Sequence, residues 1–566
     1  MWMSELPPFV PFFLAALLAL VTRGPLRMAL MVAAPLLGGL HLWFDVPVGT
    51  QLVVSLLEYD LMLMRADKLS LLFGYIFHIA AFILVIYTLH LRDTLQHVAG
   101  LVYAGSALGA VFAGDLITLF IFWELLVTSS VFLIWARRNV RASRAGMRYL
   151  VFQVSSGVLL LAGALIHYRY TGSLAFDFIG LENPGGWLIL LAFGIKCAFP
   201  FLHNWLTDAY PESTPTGAAV LSVFTTKVAV YTLARGFPGT DLLIYIGAVM
   251  TCFPIFYAVI ENDLRRVLSY SLINQLGFMV CGIGIGTALA LNGAVAHAFS
   301  HILYKALLFM SMGAILYRVG NINASDLGGL YKSMPKTALF CIVGAASISA
   351  LPLFSGFVSK SLVMSALLQE GHTVVWLMLL FASAGVLHHA GIKVPYFGFF
   401  AHDSGIRTQE APRNMLLAMG IAAVLCILIG IQPQYLYALL PWEVDYWPYD
   451  TTHVLAQLQL LFFAALAFVW MEIKGYAPPE LHAVNIDAEW LYRKLLPNRA
   501  RRIYHVARDV SQTSAAAFYR TTNAFEQAVM KTRFGRFHLA GAWPTGSMVL
   551  WIAVILGAYL LVDAIH

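Results

Sequence analysis

The sequence predicts an all-α polytopic membrane protein, and three observations predict it. Of its 566 residues 60% are hydrophobic and 11% charged, whereas soluble domains carry charge on about a quarter of their residues. Apolar runs long enough to cross a bilayer, about 20 residues each, recur along almost the whole length. Lys and Arg collect in alternate loops, the pattern that fixes orientation in a membrane.

The runs fall at about 6–22, 26–44, 67–90, 96–113, 115–135, 147–168, 186–208, 215–236, 241–261, 268–287, 289–317, 337–365, 373–400, 413–431, 453–473 and 545–563, roughly sixteen spans. Glu5 precedes the first run and no base does, so it reads as a span and not as a cleaved secretory signal. The basic loops hold Arg23 and Arg27; Arg92; Arg137, Arg138, Arg141, Arg144 and Arg148; Arg265 and Arg266; Arg318, Lys332 and Lys336; Arg407 and Arg413. The positive-inside rule makes these loops cytoplasmic in an inner (plasma) membrane and puts the N-terminus outside. The net charge of +6 then expresses orientation, and no nucleic-acid partner is implied. All five cysteines, Cys197, Cys252, Cys281, Cys341 and Cys426, fall inside spans without CxxC spacing, which argues for buried apolar thiols over disulfides or iron–sulfur ligands. No cofactor motif is present to direct the reading elsewhere.

Two segments interrupt apolar runs, GIKCAFPFL around Pro200 and SALPLFSGF around Pro352 and Gly356. They lie five spans apart, in the seventh and twelfth, each with an intramembrane lysine nearby, Lys196 and Lys360, which the repeat would relate; paired interruptions of this kind point to internal repeats with a path between half-helices. Because five is odd, a second five-helix unit runs upside down relative to the first. The organisation expected is N-terminal helices (1–95), one five-helix unit (96–236), its inverted repeat (241–400), further helices (413–473), a cytoplasmic-side segment (474–544) and a last span (545–566). On that scheme Lys227 in span 8 pairs with Lys393 in span 13. Within residues 474–544, Ile503, Val506, Val510, Ala517, Ala524, Ala528 and Val529 recur near helical spacing among many bases, predicting an amphipathic helix along the membrane surface.

Charged residues inside spans are the main functional signal: Glu124, Lys196, Lys227, Lys305 and Lys360, with Lys393 beside them. Each costs roughly 2.5–3.5 kcal/mol near the bilayer centre on insertion scales, so a chain that carries several has a use for them. Glu124 and Lys196 are the obvious candidates for an ion pair, since one mid-span carboxylate needs a partner. His297, His301 and Lys305 recur at i, i+4 and i+8, which stacks them on one helix face. Histidine exchanges protons near neutrality, so such a face suits proton relay. Metal binding by the two histidines lacks a third ligand nearby. His388 and His389, ahead of Lys393, are a weaker echo, because adjacent residues face apart on a helix.

The runs GIKCAFPFLHNWLTDAYPESTPTGAAVLSVFTTKVAVY, DLRRVLSYSLINQLGF, HAFSHILYKALLF and LGGLYKSMPKTALFCIVGAASISALPLFSGFVSK resemble the proton-conducting antiporter-like family shared by complex I and the Mrp cation/proton antiporters. TTKVAVY and GIKVPYFGFFAHDSG are most similar to the D-type component of Mrp antiporters. The resemblance implies fourteen core helices with two inverted five-helix units. It also implies roles: Glu124 and Lys196 as a pair, Lys227 as the connecting lysine, His301 and Lys305 in span 11, Lys360 in the broken span 12. The tail departs from the D-type pattern and is similar to the lateral helix of the larger A-type component or of the largest complex I antiporter-like subunit. The expectation is a proton-translocating subunit of a hetero-oligomeric Na⁺(K⁺)/H⁺ antiporter, partnered by other membrane subunits and the lipid bilayer. The alternatives are a membrane-arm subunit of a redox-driven pump such as complex I or a membrane hydrogenase, and the membrane half of an inorganic-carbon uptake pair with a soluble zinc partner.

Overall fold

The computed structural model describes residues 5–56, 59–476, 478–482, 485, 487–531 and 545–565. Each apolar run of the sequence becomes one helix or one broken pair. In order they are α1 (Val10–Val21), α2 (Gly24–Phe44), α3 (Lys68–Thr88), α4 (Thr94–Phe112), α5 (Leu116–Trp135) and α6 (Val140–Thr171). The pairs α7 (Pro184–Lys196) with α8 (Asn204–Glu212), and α9 (Gly217–Leu221) with α10 (Thr225–Gly236), follow. Next come α11 (Asp241–Ile260), α12 (Leu264–Ile285), α13 (Ala288–Val319) and the pair α14 (Pro335–Ile348) with α15 (Ser355–Gln369). The helix α16 (Thr373–Val386) continues as π-helical turns at Leu387–Lys393 and Tyr396–Phe400, before α17 (Arg413–Ile431), the short α18 (Gln434–Tyr437) and α19 (Thr451–Lys474). Among the described residues thirteen helices are long and apolar enough to cross a membrane, and Val10–Val21, Pro184–Lys196 and Pro335–Ile348 are shorter apolar ones. The chain is a multi-pass, all-α membrane protein apart from one departure: β1 (Gln51–Leu56) and β2 (Tyr59–Arg65) form an antiparallel hairpin that the apolar runs did not predict.

An internal duplication is written into the backbone. Asp115 caps α5 by accepting from the amides of Ile117 and Thr118, and Asp263 caps α12 by accepting from those of Arg265 and Arg266. Asp115 forms an isolated antiparallel bridge with Ala175 and Asp263 forms one with Asn323, each pair of equivalents 148 positions apart (263 − 115, 323 − 175). α6 and α13 are both 32 residues long. The breaks repeat too, with Ala198 and Phe201 at φ 62° and 68° in the first and Ala350 and Leu353 at φ 57° and 74° in the second, 152 positions on (350 − 198, 353 − 201). Two non-glycine residues in the left-handed region cost about 1–3 kcal/mol each, so both breaks are over-determined by their surroundings. The five crossings α4 to α10 begin on one face and end on the other, so the repeat α11 to α16 starts from the opposite face. The hairpin and residues 172–183 mark the first face; Arg23, Arg92, Arg137, Arg266, Arg318 and Arg407 mark the second.

Contacts divide the chain into two compact units, Met1–Asn485 and Ile486–His566. The core belongs to the first, where α12 and α13 are almost wholly buried. In the second unit a helix of 36 residues, α20 (Leu496–Lys531), exposes Ile503, Val506, Val510, Phe518 and Phe525 along one side, and α21 (Thr545–Ile565) is an apolar span. The remainder of the predicted cytoplasmic segment, 532–544, lies outside the described residues.

Candidate functional site

Every charged residue singled out in the spans lies in the first unit. Glu124 is in the middle of α5 and packs over Gly157 of α6, where a Cβ would fall 1.5 Å from its Oε1. Lys196 is the last residue of α7, Lys227 opens α10, Lys360 is in the second half-helix α15, and Lys393 ends the first π-helical stretch. Three of these lysines sit on carbonyls at helix ends. Lys227 Nζ donates to Ser222 O (2.6 Å), freed where α9 stops, and to Thr226 Oγ1 (3.2 Å). Lys360 Nζ donates to Ile348 O, the last carbonyl of α14, at 3.1 Å. Lys393 Nζ donates to Val259 O in the last turn of α11 (2.5 Å) and pairs with Glu480 at 3.2 Å. Helix C-termini carry unsatisfied carbonyls and partial negative charge, so the broken helices supply a cation's partners without carboxylates. Lys196 and Lys360 also lie over aromatic faces, those of Trp123 (4.7 Å) and Phe278 (4.9 Å).

Between them runs a polar network on α13. His297 Nδ1 lies 3.0 Å from Ser359 Oγ and its Nε2 3.1 Å from Gln275 Oε1, which also accepts from the Tyr304 hydroxyl at 3.1 Å. Gln275 donates to Asn274, and Asn274 donates to the carbonyl of Thr251. His301 and Lys305 are fully buried, and neither ring nitrogen of His301 nor the ammonium of Lys305 has a protein partner. The same holds for the amide of Gln153, which stands 148 positions before His301 in the repeat. A buried polar group without a partner costs about 1–3 kcal/mol, so a file of them along one axis marks a place kept polar for use.

Three expectations need correction. Lys196 and Glu124 act on each other's charge but make no direct ion-pair contact: the ammonium donates to the Trp123 carbonyl (3.1 Å), one residue away, and Glu124 Oε1 is buried without a hydrogen-bond partner. The lysines at the two breaks are not repeat equivalents. With Ala198 aligned on Ala350, Lys196 corresponds to Ile348 and Lys360 to Asp208, because one lysine precedes its break and the other follows it. Lys227 and Lys393 do not correspond either, since Lys227 follows the α9/α10 break whereas Lys393 ends a π-helical stretch at the second face. Sequence reasoning missed Gln275, Ser359, Tyr304 and Gln153; single amides and hydroxyls in apolar helices give no periodic signal, although Gln153 and Gln275 each interrupt a long apolar run. Among the described residues no group of three His, Cys, Asp or Glu side chains could hold a metal ion.

Several charges outside the spans are paired. Burial works against ionisation of Asp67, but Arg235, the Ser70 amide and Arg65 outweigh it and hold the carboxyl below its ordinary range. At the second face slight burial opposes, and hydrogen bonds from Asn321, Asn323 and Ser325 with His482 alongside overcome that, lowering Asp326 to about 2. Arg148 grips Asp208 through two hydrogen bonds of 2.6 and 2.9 Å, fixing α6 to α8.

Broken-helix repeats around a buried file of lysines and histidines define a class, the antiporter-like membrane subunits. Residues 113–386 match the transmembrane family described as NADH:quinone oxidoreductase/Mrp antiporter. The chain is 30% identical over 357 residues to the D-type component of the Na(+)/H(+) antiporter of Alkalihalophilus pseudofirmus, covering 58% of this chain and 72% of that one. It is 27% identical over 433 residues to hydrogenase-4 component B of Escherichia coli K12, covering 67% of this chain but 64% of the relative. Among solved structures, a chain of the Mrp complex from Dietzia sp. DQ12-45-1b superposes with a TM-score of 0.76 at 23% identity, over 99% of this chain and 62% of that chain. A chain of the archaeal membrane-bound sulfane sulfur reductase gives 0.71 at 21% identity, over 98% of this chain and the whole of the other. The protein belongs to the NADH:quinone oxidoreductase/Mrp antiporter family of membrane subunits.

Proposed function

We propose that the chain is the proton-translocating subunit of a multi-subunit Na⁺(K⁺)/H⁺ antiporter in a plasma membrane, with its second face cytoplasmic and its N-terminus outside. The observation that carries the reading is the file of buried bases through both repeats: Lys227, His297 and Lys360, with partners drawn from helix breaks and a hydroxyl, and His301 and Lys305, buried with none. Each group holds a proton in one state and accepts one in the other, and their mutual proximity couples the titrations, so a proton arriving at one end displaces another along the file. Glu124 and Lys196 form the end in the first repeat, Lys393 with Glu480 the end at the second face. The membrane potential supplies about 2.3 kcal/mol per charge per 100 mV. The monovalent cation crosses elsewhere in the complex, through a neighbouring subunit. Similarity to the D-type component of an Na(+)/H(+) antiporter over 72% of its length supports this reading.

The test is complementation of an antiporter-deficient strain on high sodium, with ΔpH dequenching in everted vesicles. Lys227→Ala and Glu124→Gln are expected to abolish growth and cut exchange by about tenfold or more; unimpaired growth and exchange in both variants would overturn it. A second reading, a subunit of a redox-driven pump, is favoured by the longer match to hydrogenase-4 component B. Iron–sulfur and flavin subunits co-purifying with the chain would establish that reading instead.

A further inference from the structure

Between α14 and α17 a groove of about 670 Å³ opens on the outside of the first unit, and its polarity changes along its length. At the second-face end stand Lys336, in the first turn of α14, and Arg413, the first residue of α17. Further in, the wall is apolar: Phe340, Leu417, Gly420, Ile421 and Val424 form it, and Leu417 and Val424 are more than half exposed. Gly420 keeps the groove open beside the Phe340 ring, since a Cβ there would already fall 3.5 Å from the ring's Cζ and a longer side chain would occupy the space. From Arg413 to Val424 is eleven residues (424 − 413), about 16 Å of helix and so about half of a 30 Å hydrocarbon core. The groove is one leaflet deep. The carboxylate at its mouth is already committed: Glu410 Oε2 accepts from the Lys336 amide (2.8 Å), and its Oε1 accepts from the Thr337 hydroxyl (2.6 Å) and the Ala411 amide (2.9 Å). Lys336 and Arg413 are exposed, and among the described residues neither the ammonium nor the guanidinium has an ion-pair partner.

We propose that this groove binds an anionic phospholipid of the second-face leaflet, with the phosphate between Lys336 and Arg413 and one acyl chain along Phe340, Gly420 and Val424. The order of polarity in the groove is the order in the ligand. Two unpaired cations stand at headgroup depth, where basic pockets between spanning helices attract anionic lipid, and below them the wall carries no polar side chain for the length of one acyl chain. A helix of a neighbouring subunit would pack along α17 through both leaflets, whereas the groove ends after one. Such a helix would also have to bring carboxylates to the two bases, which a lipid phosphate serves without help.

The test uses the complex purified with its partner subunits, in nanodiscs of phosphatidylcholine with a trace of phosphatidylglycerol that carries a photoactivatable diazirine in one acyl chain; adducts are mapped by mass spectrometry. Adducts are expected on residues 340 and 417–425, and the same diazirine chain on phosphatidylcholine is expected to mark them about tenfold less. Lys336→Gln combined with Arg413→Gln should cut the phosphatidylglycerol adducts in the groove about tenfold, while adducts elsewhere on the chain stay as in wild type. Gly420→Leu fills the groove and leaves both bases, and it should remove adducts there with either probe. Equal marking of the groove by the two probes, or phosphatidylglycerol adducts that persist undiminished in the double variant or in Gly420→Leu, would overturn the proposal. Absence of groove adducts with both probes in the wild-type complex would also overturn it, and would assign the groove to a neighbouring subunit.

Discussion

At the residue scale the chain keeps cations in a membrane by seating them on carbonyls that helix ends leave free. The lysines themselves were legible in the sequence, since a charge within an apolar run is conspicuous. Their partners were not, because Ser222 O, Ile348 O and Val259 O are backbone atoms whose freedom depends on where a helix stops. Glu124 shows the same limit: its expected lysine turns to a neighbouring carbonyl, a rotamer choice that spacing does not encode. Its room is made by Gly157, where an added methyl would collide with Oε1. Gly157→Ala is therefore expected to lower stability by about 1–3 kcal/mol and to impair flux by displacing the carboxylate, read from a thermal scan and a flux assay on the same preparation. Asp326 gives a pH prediction outside the membrane. Its carboxyl is depressed from 3.8 to about 2, so its contribution is complete above about pH 4 and is lost as pH falls through 2. The stability difference between wild type and Asp326→Ala should shrink as pH falls from 4 through 2; a difference that keeps growing below pH 4 would contradict the assignment.

At the scale of elements, the two breaks were visible as Pro200 and Pro352 inside apolar runs, and each proved to be a left-handed pair three residues apart. The strands at 51–56 and 59–65 escaped because the apolar run there is too short to span a membrane; the alternation in YDLMLMR was the available signal. The π-helical turns between Leu387 and Phe400 leave no mark in composition. The breaks differ in how they are covered. In the second, Gln457 of α19 donates to the Ser349 carbonyl (3.2 Å), and the Tyr449 hydroxyl accepts from the Leu353 amide at 3.2 Å and donates to the Gly430 carbonyl. In the first, Phe201 is 73% exposed, against 56% for its equivalent Leu353, so the difference lies in these hydrogen bonds and not in burial. A segment beyond the repeats thus holds the second break. Gln457→Leu removes one hydrogen bond, worth about 0.5–1.5 kcal/mol, and is expected to slow proton flux several-fold without loss of expression, whereas a purely peripheral α19 would leave flux unchanged.

For the whole molecule, we read the two inverted repeats as two half-channels joined at Lys227 and the α13 file. The spans and the duplication were legible because lipid demands long apolar helices, thirteen of the described helices being long and apolar enough to cross and three shorter; their direction is an expectation from charge bias. Which groups touch was not legible, being decided by helix packing. Orientation is directly testable: Ser173→Cys at the first face should react with an impermeant maleimide in intact cells, and Gln409→Cys at the second face only after permeabilisation. Reversed labelling would turn the molecule over. The measurement that bears most directly on the account is proton flux through the purified complex in proteoliposomes under an imposed potential, with no redox substrate present, comparing wild type with Lys227→Ala and Lys305→Ala. The account predicts flux in wild type that depends on Na⁺ or K⁺ and falls at least about tenfold in each variant; equal flux in all three would contradict it.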